Sequence, residues 1–315
     1  MHLLRVVLTM LMLAGYPLLA SCAEIAVEAA SASPESPSAE TAVASQGEGE
    51  HHGLSPKAAD LKSGVAFNNS MVVTWGVTIF LVVFVQAATR RMALIPSGAQ
   101  NFLEWLVESL YEFLEGIIGS ELVKKTFWFF ATIFIFILFT NWAGLFPGVG
   151  TIGWGAQTDH GFKLSTPLLR GGNADLNMTM AMAMIFFVMW TIWAFQANGL
   201  IGFIKHLFAP KGETSGFLKV LMVVVFLAVG VLELVSIGFR PISLSFRLFG
   251  NIFAGENMLE TMMALVPSLG WILPVPFYFM ELLVGIVQAM VFMLLTAVFT
   301  MLICQHDEDH PKTHH

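Results

Sequence analysis

The chain has 315 residues, 56% of them hydrophobic and only 12% charged, where soluble domains carry roughly 25% charged residues. An ordinary soluble domain is excluded, and a net charge of −7 gives no footing for nucleic-acid binding. Several apolar runs reach the roughly 20 residues that cross a bilayer as a helix, without the alternation that barrel strands need.

In chain order, residues 1–22 read as a signal peptide, with Arg5, an apolar stretch from Val6 to Leu19 and then small residues. Leu19-Ala20-Ser21-Cys22 resembles a lipoprotein cleavage box. Three outcomes stay open: lipidation of Cys22, ordinary cleavage nearby, or retention as an anchor. Residues 23–65 form an acidic, Ala- and Ser-rich extension that is expected to be disordered up to about residue 56. A membrane domain over 66–305 follows, and 306–315 is a short tail.

The first span is expected at 70–88, closed by Arg90 and Arg91. Over 100–122, Glu104, Glu108, Glu112 and Glu115 share one helical face, and Phe102, Leu106, Leu110, Phe113 and Ile117 share the other. That pattern predicts an amphipathic helix on the membrane surface or packed on a neighbour. A second span covers 127–146, a Gly-rich loop of about 30 residues follows, and a third span covers 177–204. A long apolar region runs from 217 to 266, Pro267, Pro274 and Pro276 break it, and a last helix covers 277–304.

Basic residues set the orientation. Arg90, Arg91, Lys124, Lys125, Lys205, Lys211, Lys219 and Lys312 fall on one side, and Lys57, Lys62, Lys163 and Arg170 on the other. Five crossings result, with the N-terminus outside and the C-terminus in the cytoplasm. The two cysteines, Cys22 and Cys304, make no disulfide framework, and the terminal histidines lack ligand spacing. No metal site or cofactor is expected.

The charges inside the long apolar region demand a reason. An arginine near the bilayer centre costs about 2.5–3.5 kcal/mol on insertion scales, yet Arg247 lies within Ser245-Phe-Arg-Leu-Phe-Gly250, with no acid at i±3 or i±4. Glu233, Arg240 and Arg247 repeat at sevens, and Ser236, Ser243 and Asn251 extend their stripe. Glu256 is nine residues past Arg247, about 13–14 Å along a helix and near the opposite face, so the two do not pair. Glu281 and Gln288 share a face of the last helix. Glu233 with Arg240 also reads as a structural ion pair, Glu260 as an interface marker, and Asn251 with Gln288 as interhelical hydrogen-bond glue. Gly250 and Gly255 read first as close-packing positions.

The run Phe246-Arg-Leu-Phe-Gly-Asn-Ile-Phe-Ala-Gly-Glu256, with Asp175-Leu-Asn177, Glu233 and Gln288-Ala-Met-Val-Phe292, resembles subunit a of F-type ATP synthases over roughly 65–305. The resemblance implies an all-α polytopic membrane protein of five crossing helices plus an amphipathic surface helix. Its last two helices would be long and packed against a ring of c subunits. It implies a non-catalytic channel subunit in the CF(0) part of a rotary enzyme, partnered by that ring, by b-type peripheral stalk subunits and by lipid, in a bacterial inner membrane.

Residue by residue, Arg247 matches the family's essential arginine, facing a ring carboxylate. Asn251 and Gln288 match its polar neighbours, Glu256 and Glu281 an outer proton path, and Glu233 the other half-channel. Arg240, Ser236, Asp175 and Asn177 take structural or accessory roles. Glu281 stands where some members carry histidine and others glutamate, and both outer-path positions are acidic here. The reading from another class is a secondary transporter or anion channel that uses Arg247 to bind an anion, which usually shows internal repeats. No such repeat is visible.

Overall fold

The computed structural model describes residues 68–304, apart from 91, 94, 96, 97, 147, 148, 150, 151, 159, 160, 209–216 and 266–271. The signal-like leader, Cys22, the acidic extension and the tail lie outside the described residues. The elements are α1 (Asn69–Thr89), α2 (Ala99–Ile118), α3 (Ser120–Gly144), β1 (Gly153–Thr158), β2 (Gly161–Pro167), a 3-10 turn (Gly172–Ala174), α4 (Leu176–Phe208), α5 (Phe217–Leu265) and α6 (Val275–Cys304). Among the described residues, five helices are long and apolar enough to cross a membrane: α1, α3, the Leu176–Gly199 part of α4, the Val225–Met263 part of α5, and α6. The chain is thus an all-α polytopic membrane protein, with one small hairpin added.

Helix α3 is the hub. Phe129, Phe130, Ile133, Phe136 and Ile137 are fully buried, because residues three and four apart share a face and α3 has neighbours on several sides. Trp193 of α4 packs between Phe129 and Phe130, with ring centroids 5.4 and 5.7 Å away. Polar side chains tie the helices through backbone carbonyls. Asn141 donates to Gly285 at 3.1 Å, Trp190 to Phe299 at 3.1 Å and Asn198 to Ile303 at 2.8 Å. In an apolar setting such bonds supply the specificity that water-driven burial cannot.

The amphipathic helix is present, but its buried edge is rotated from the expected one. Leu110, Leu114 and Ile118 are buried, while Phe102, Trp105 and Phe113 stay exposed. Gly119, at φ 82°, ends α2 and starts α3 at once. Only glycine adopts that backbone readily, and the junction draws Ser120–Leu122, expected in the amphipathic helix, into α3.

The Gly-rich loop holds a structure that helical periodicity does not show. β1 and β2 pair antiparallel from Gly153↔Pro167 to Thr158↔Gly161, with an irregularity at Trp154/Gly155. Asn69 of α1 donates to the Pro167 carbonyl at 3.2 Å, fastening the hairpin to the bundle. Helix α4 kinks at Gly199, whose φ of 67° no helix contains.

Helix α5 differs from all the others. Its 49 residues would reach about 73 Å at 1.5 Å per residue, more than twice the roughly 30 Å hydrocarbon core. It keeps helical form through Pro241. Only 17% of its apolar window is buried within the chain, against 61% for α3. The buried apolar residues Ile237, Leu244, Leu248, Ile252 and Leu259 recur at the three- and four-residue steps of a single stripe, with Pro241 and Ser245 buried beside them, and much of the opposite face is exposed.

Candidate functional site

At the hairpin end, the α5 acids meet a basic partner that comes from outside the helices. Arg170, just after β2, places Nε 3.8 Å from Glu256 Oε2, and the two side chains are 5% and 13% exposed. The guanidinium also lies over the Phe253 ring, 5.9 Å from its centroid. Arg170, Glu256, Glu260 and Tyr278 line a cavity of about 220 Å³, with Leu145, Phe146, Leu169, Leu259 and Met263 among its other walls.

Two glycines make room for the carboxylates. A Cβ on Gly171 would collide with Glu256 Oε1, and one on Gly255 would run into the Glu281 carboxylate. The expected close-packing role of Gly255 is therefore observed, and what packs there is an acid. Glu281 itself is buried. Two turns further along α6, Gln288 accepts a hydrogen bond from Asn251 Nδ2 at 2.6 Å, which joins α6 to α5. The sequence-expected set Glu256, Glu281, Asn251 and Gln288 is thus brought to the α5–α6 contact.

Arg247 is placed differently. It is exposed, one turn before Asn251, beside the exposed Phe246 and Gly250. Among the described residues no acid pairs with it, and Glu256 is engaged by Arg170 instead. The expected separation of Arg247 from Glu256 is what the structure has.

At the far end of α5, Glu233 and Arg240 do pair. Arg240 Nη2 donates to Glu233 Oε1 at 3.0 Å, and its guanidinium lies over the Phe299 ring at 4.6 Å. Ser236 and Ser243 are exposed on the same open side. Asp175 makes side-chain contacts at the start of α4, and Asn177 meets it through its backbone. Asp175 accepts from the Ser70 hydroxyl at 2.9 Å and from the Asn177 backbone N–H at 3.0 Å, capping the start of α4 and binding it to α1.

Sequence reasoning used Arg170 only as an orientation marker. Its partner is 86 positions away, so no local spacing exposes the pair. A usable signal was its place in Arg170-Gly-Gly-Asn-Ala-Asp175, a polar cluster between a strand and a span. Two further buried pairs were also unforeseen: Asn173 donates to Asn141 Oδ1 at 2.6 Å, and the Thr179 and Ser245 hydroxyls lie 3.0 Å apart.

Residues 71–301 match the family model described as ATP synthase A chain. Among curated proteins, the chain is 32% identical to ATP synthase subunit a of Gloeobacter violaceus, over 76% of this chain and 85% of that one. It is 35% identical to the Moorella thermoacetica subunit a, over 73% and 88%. It is 30% identical to the sodium-ion-specific subunit a of Propionigenium modestum, over 78% of each. The chain belongs to the ATP synthase A chain family, the multi-pass membrane component of the F-type ATP synthase that serves ion transport for ATP synthesis.

Proposed function

We propose that this chain carries protons along two offset half-channels that meet a rotating ring of c subunits at Arg247. The observation that carries this reading is the exposed guanidinium of Arg247, without an acid partner among the described residues, on the least buried helix of the bundle. A fixed charge placed in lipid without a counter-charge is costly. A surface that brings carboxylates past it supplies one at a time.

The outer path starts at the cavity of Arg170, Glu256, Glu260 and Tyr278. Its roughly 220 Å³ has room for about seven waters at ~30 Å³ each. From there Glu281 and then the Asn251–Gln288 pair lead toward Arg247. Glu260 Oε2, Glu281 Oε1 and Gln288 Nε2 are buried with no hydrogen-bond partner among the described residues. Native interiors seldom leave such atoms idle, and groups that hand protons on have this need for changing partners.

A ring carboxylate that accepts a proton becomes neutral and can face lipid, whereas the ionised form cannot without a large penalty. The ring then carries neutral sites through lipid, and a returning site releases its proton toward the Glu233 end of α5. Arg247 stabilises the carboxylate between the two events and bars a proton from crossing directly. The outer path lies on the extracytoplasmic side, with the N-terminus outside and the C-terminus in the cytoplasm. Each charge gains about 2.3 kcal/mol per 100 mV of membrane potential.

The orientation of α5 toward the ring is testable by disulfide trapping in the intact complex. Cysteines at Phe239, Ile242, Phe246 and Gly250 are expected to cross-link to cysteines near the ring carboxylate, and those at Ile237, Leu244 and Leu248 are not. Adducts from the buried set alone would overturn the assignment. The Propionigenium modestum relative is named as sodium-ion specific, so the coupling ion is settled by testing whether transport responds to Na⁺ at fixed pH.

A further inference from the structure

The hydroxyls of Thr179 on α4 and Ser245 on α5 lie 3.0 Å apart, and both residues are fully buried. Ser245 stands two positions before Arg247. We propose that this pair is a positioning latch, which fixes the rotation of α5 about its own axis and so aims Arg247 out of the bundle. The proposal deepens the function given above and rests on the ring-facing role of Arg247.

Helix geometry makes the contact directional. Residues two apart are about 200° apart around the axis, at 3.6 residues per turn. A side chain held against α4 at Ser245 therefore sends Arg247 to nearly the opposite side. The burial pattern agrees: Leu244, Ser245 and Leu248 are buried, while Ile242, Phe246, Arg247 and Gly250 are exposed. Apolar packing is a weak guide to rotation at this place, because it has no preferred direction and lipid is as apolar as leucine. A hydrogen bond has a preferred length and angle. Turning α5 away would leave two hydroxyls without partners in an apolar interior, which is costly.

The neighbouring bonds give the latch a direction and a footing. Thr179 Oγ1 donates to the Leu176 carbonyl of its own helix at 3.0 Å, so its lone pairs accept and Ser245 is the donor. Other buried threonines, such as Thr74, Thr140 and Thr300, donate to the carbonyl four positions back in their own helix. Ser245 reaches across to a different helix. The start of α4 is itself held, since Asp175 accepts from Ser70 of α1 at 2.9 Å and the Thr179 N–H donates to the Asp175 carbonyl at 3.3 Å. A line of contacts thus runs from α1 through the start of α4 to α5, and it ends two residues from Arg247.

Disulfide trapping in the intact ATP synthase tests the latch. A cysteine near the ring carboxylate is combined with a cysteine at Phe246, on the exposed side of α5, or at Phe249, at the edge of the buried stripe. The ratio of the two adduct yields reads the rotation of α5. Ser245→Ala and Thr179→Val should each lower the Phe246-to-Phe249 ratio by about three-fold, the size of one interhelical hydrogen bond within a membrane. Proton pumping per assembled complex should fall with it. The double variant should change no more than either single one. Thr300→Val removes an equally buried hydroxyl that serves its own helix, and should leave the ratio as it is. An unchanged ratio or unchanged pumping in both single variants overturns the latch. So do losses that multiply in the double variant, and so does an equal shift in Thr300→Val, which would mean general loosening. No adduct from either position in the otherwise wild-type chain overturns the ring-facing role of Arg247 and the latch together, whereas wild-type adducts with a silent Ser245→Ala and Thr179→Val overturn the latch alone.

Discussion

Two arginines in this chain sit in opposite circumstances. Arg170 is buried at the hairpin end, faces Glu256 at 3.8 Å and fills a polar cavity wall. Arg247 is exposed on the open side of α5 and has no acid partner among the described residues. The first is neutralised inside the protein and holds a carboxylate in place. The second carries its charge outward, where only another molecule can neutralise it. A membrane protein tolerates a buried charge when it is paired, and in the proposed function the unpaired one marks the surface that meets the ring.

The contrast can be broken at its paired end first. Arg170→Ala leaves Glu256 without its cation, and the loss should be about 3 kcal/mol, the low end for a broken buried pair because 3.8 Å is contact rather than a hydrogen bond. Thermal unfolding of the detergent-solubilised complex should fall, and proton flux with it. An unchanged melting temperature together with unchanged flux would mean that Glu256 does not depend on Arg170. Next in size, Gly255→Ala pushes a methyl group into the Glu281 carboxylate and should cut flux severalfold, an overpacking cost of about 1–3 kcal/mol. Gly76→Ala, where nothing lies within 4 Å, is the control and should be silent.

Smaller effects sharpen the comparison. Glu281→Gln keeps the shape and removes the ionisable group, so flux should slow and its dependence on external pH should flatten. An identical flux–pH curve would remove Glu281 from the path. Least affected should be Glu233→Gln. Its partner Arg240 also rests on the Phe299 ring, and the pair is an exposed one, so about 0.2–1 kcal/mol is at stake. A complete block there would show that Glu233 is a main proton carrier rather than an aid to release.

Much of the architecture was legible because hydropathy and helical periodicity are local signals. The expected spans at 70–88, 177–204 and 277–304 fall within a few residues of Asn69–Thr89, Leu176–Phe208 and Val275–Cys304. The α2–α3 boundary was misjudged because Gly119 divides two helices without an intervening loop. The hairpin was missed because its strands lie in a Gly-rich stretch outside the apolar runs. In the candidate site, Arg247, Glu256, Glu281 and Gln288 stood out as polar residues in apolar surroundings. Arg170 did not, since its importance arises only when the chain folds back over 86 positions to Glu256. The Asn141–Asn173 and Thr179–Ser245 contacts were hidden for the same reason.

The central claim is that the charge and planar fork of Arg247 are offered to a partner carboxylate and separate two proton paths. ATP-driven proton pumping by inverted membrane vesicles carrying Arg247→Lys tests it most directly, because lysine keeps the charge and loses the fork. The account predicts that pumping is abolished while the complex still assembles. Pumping at the wild-type rate would contradict it.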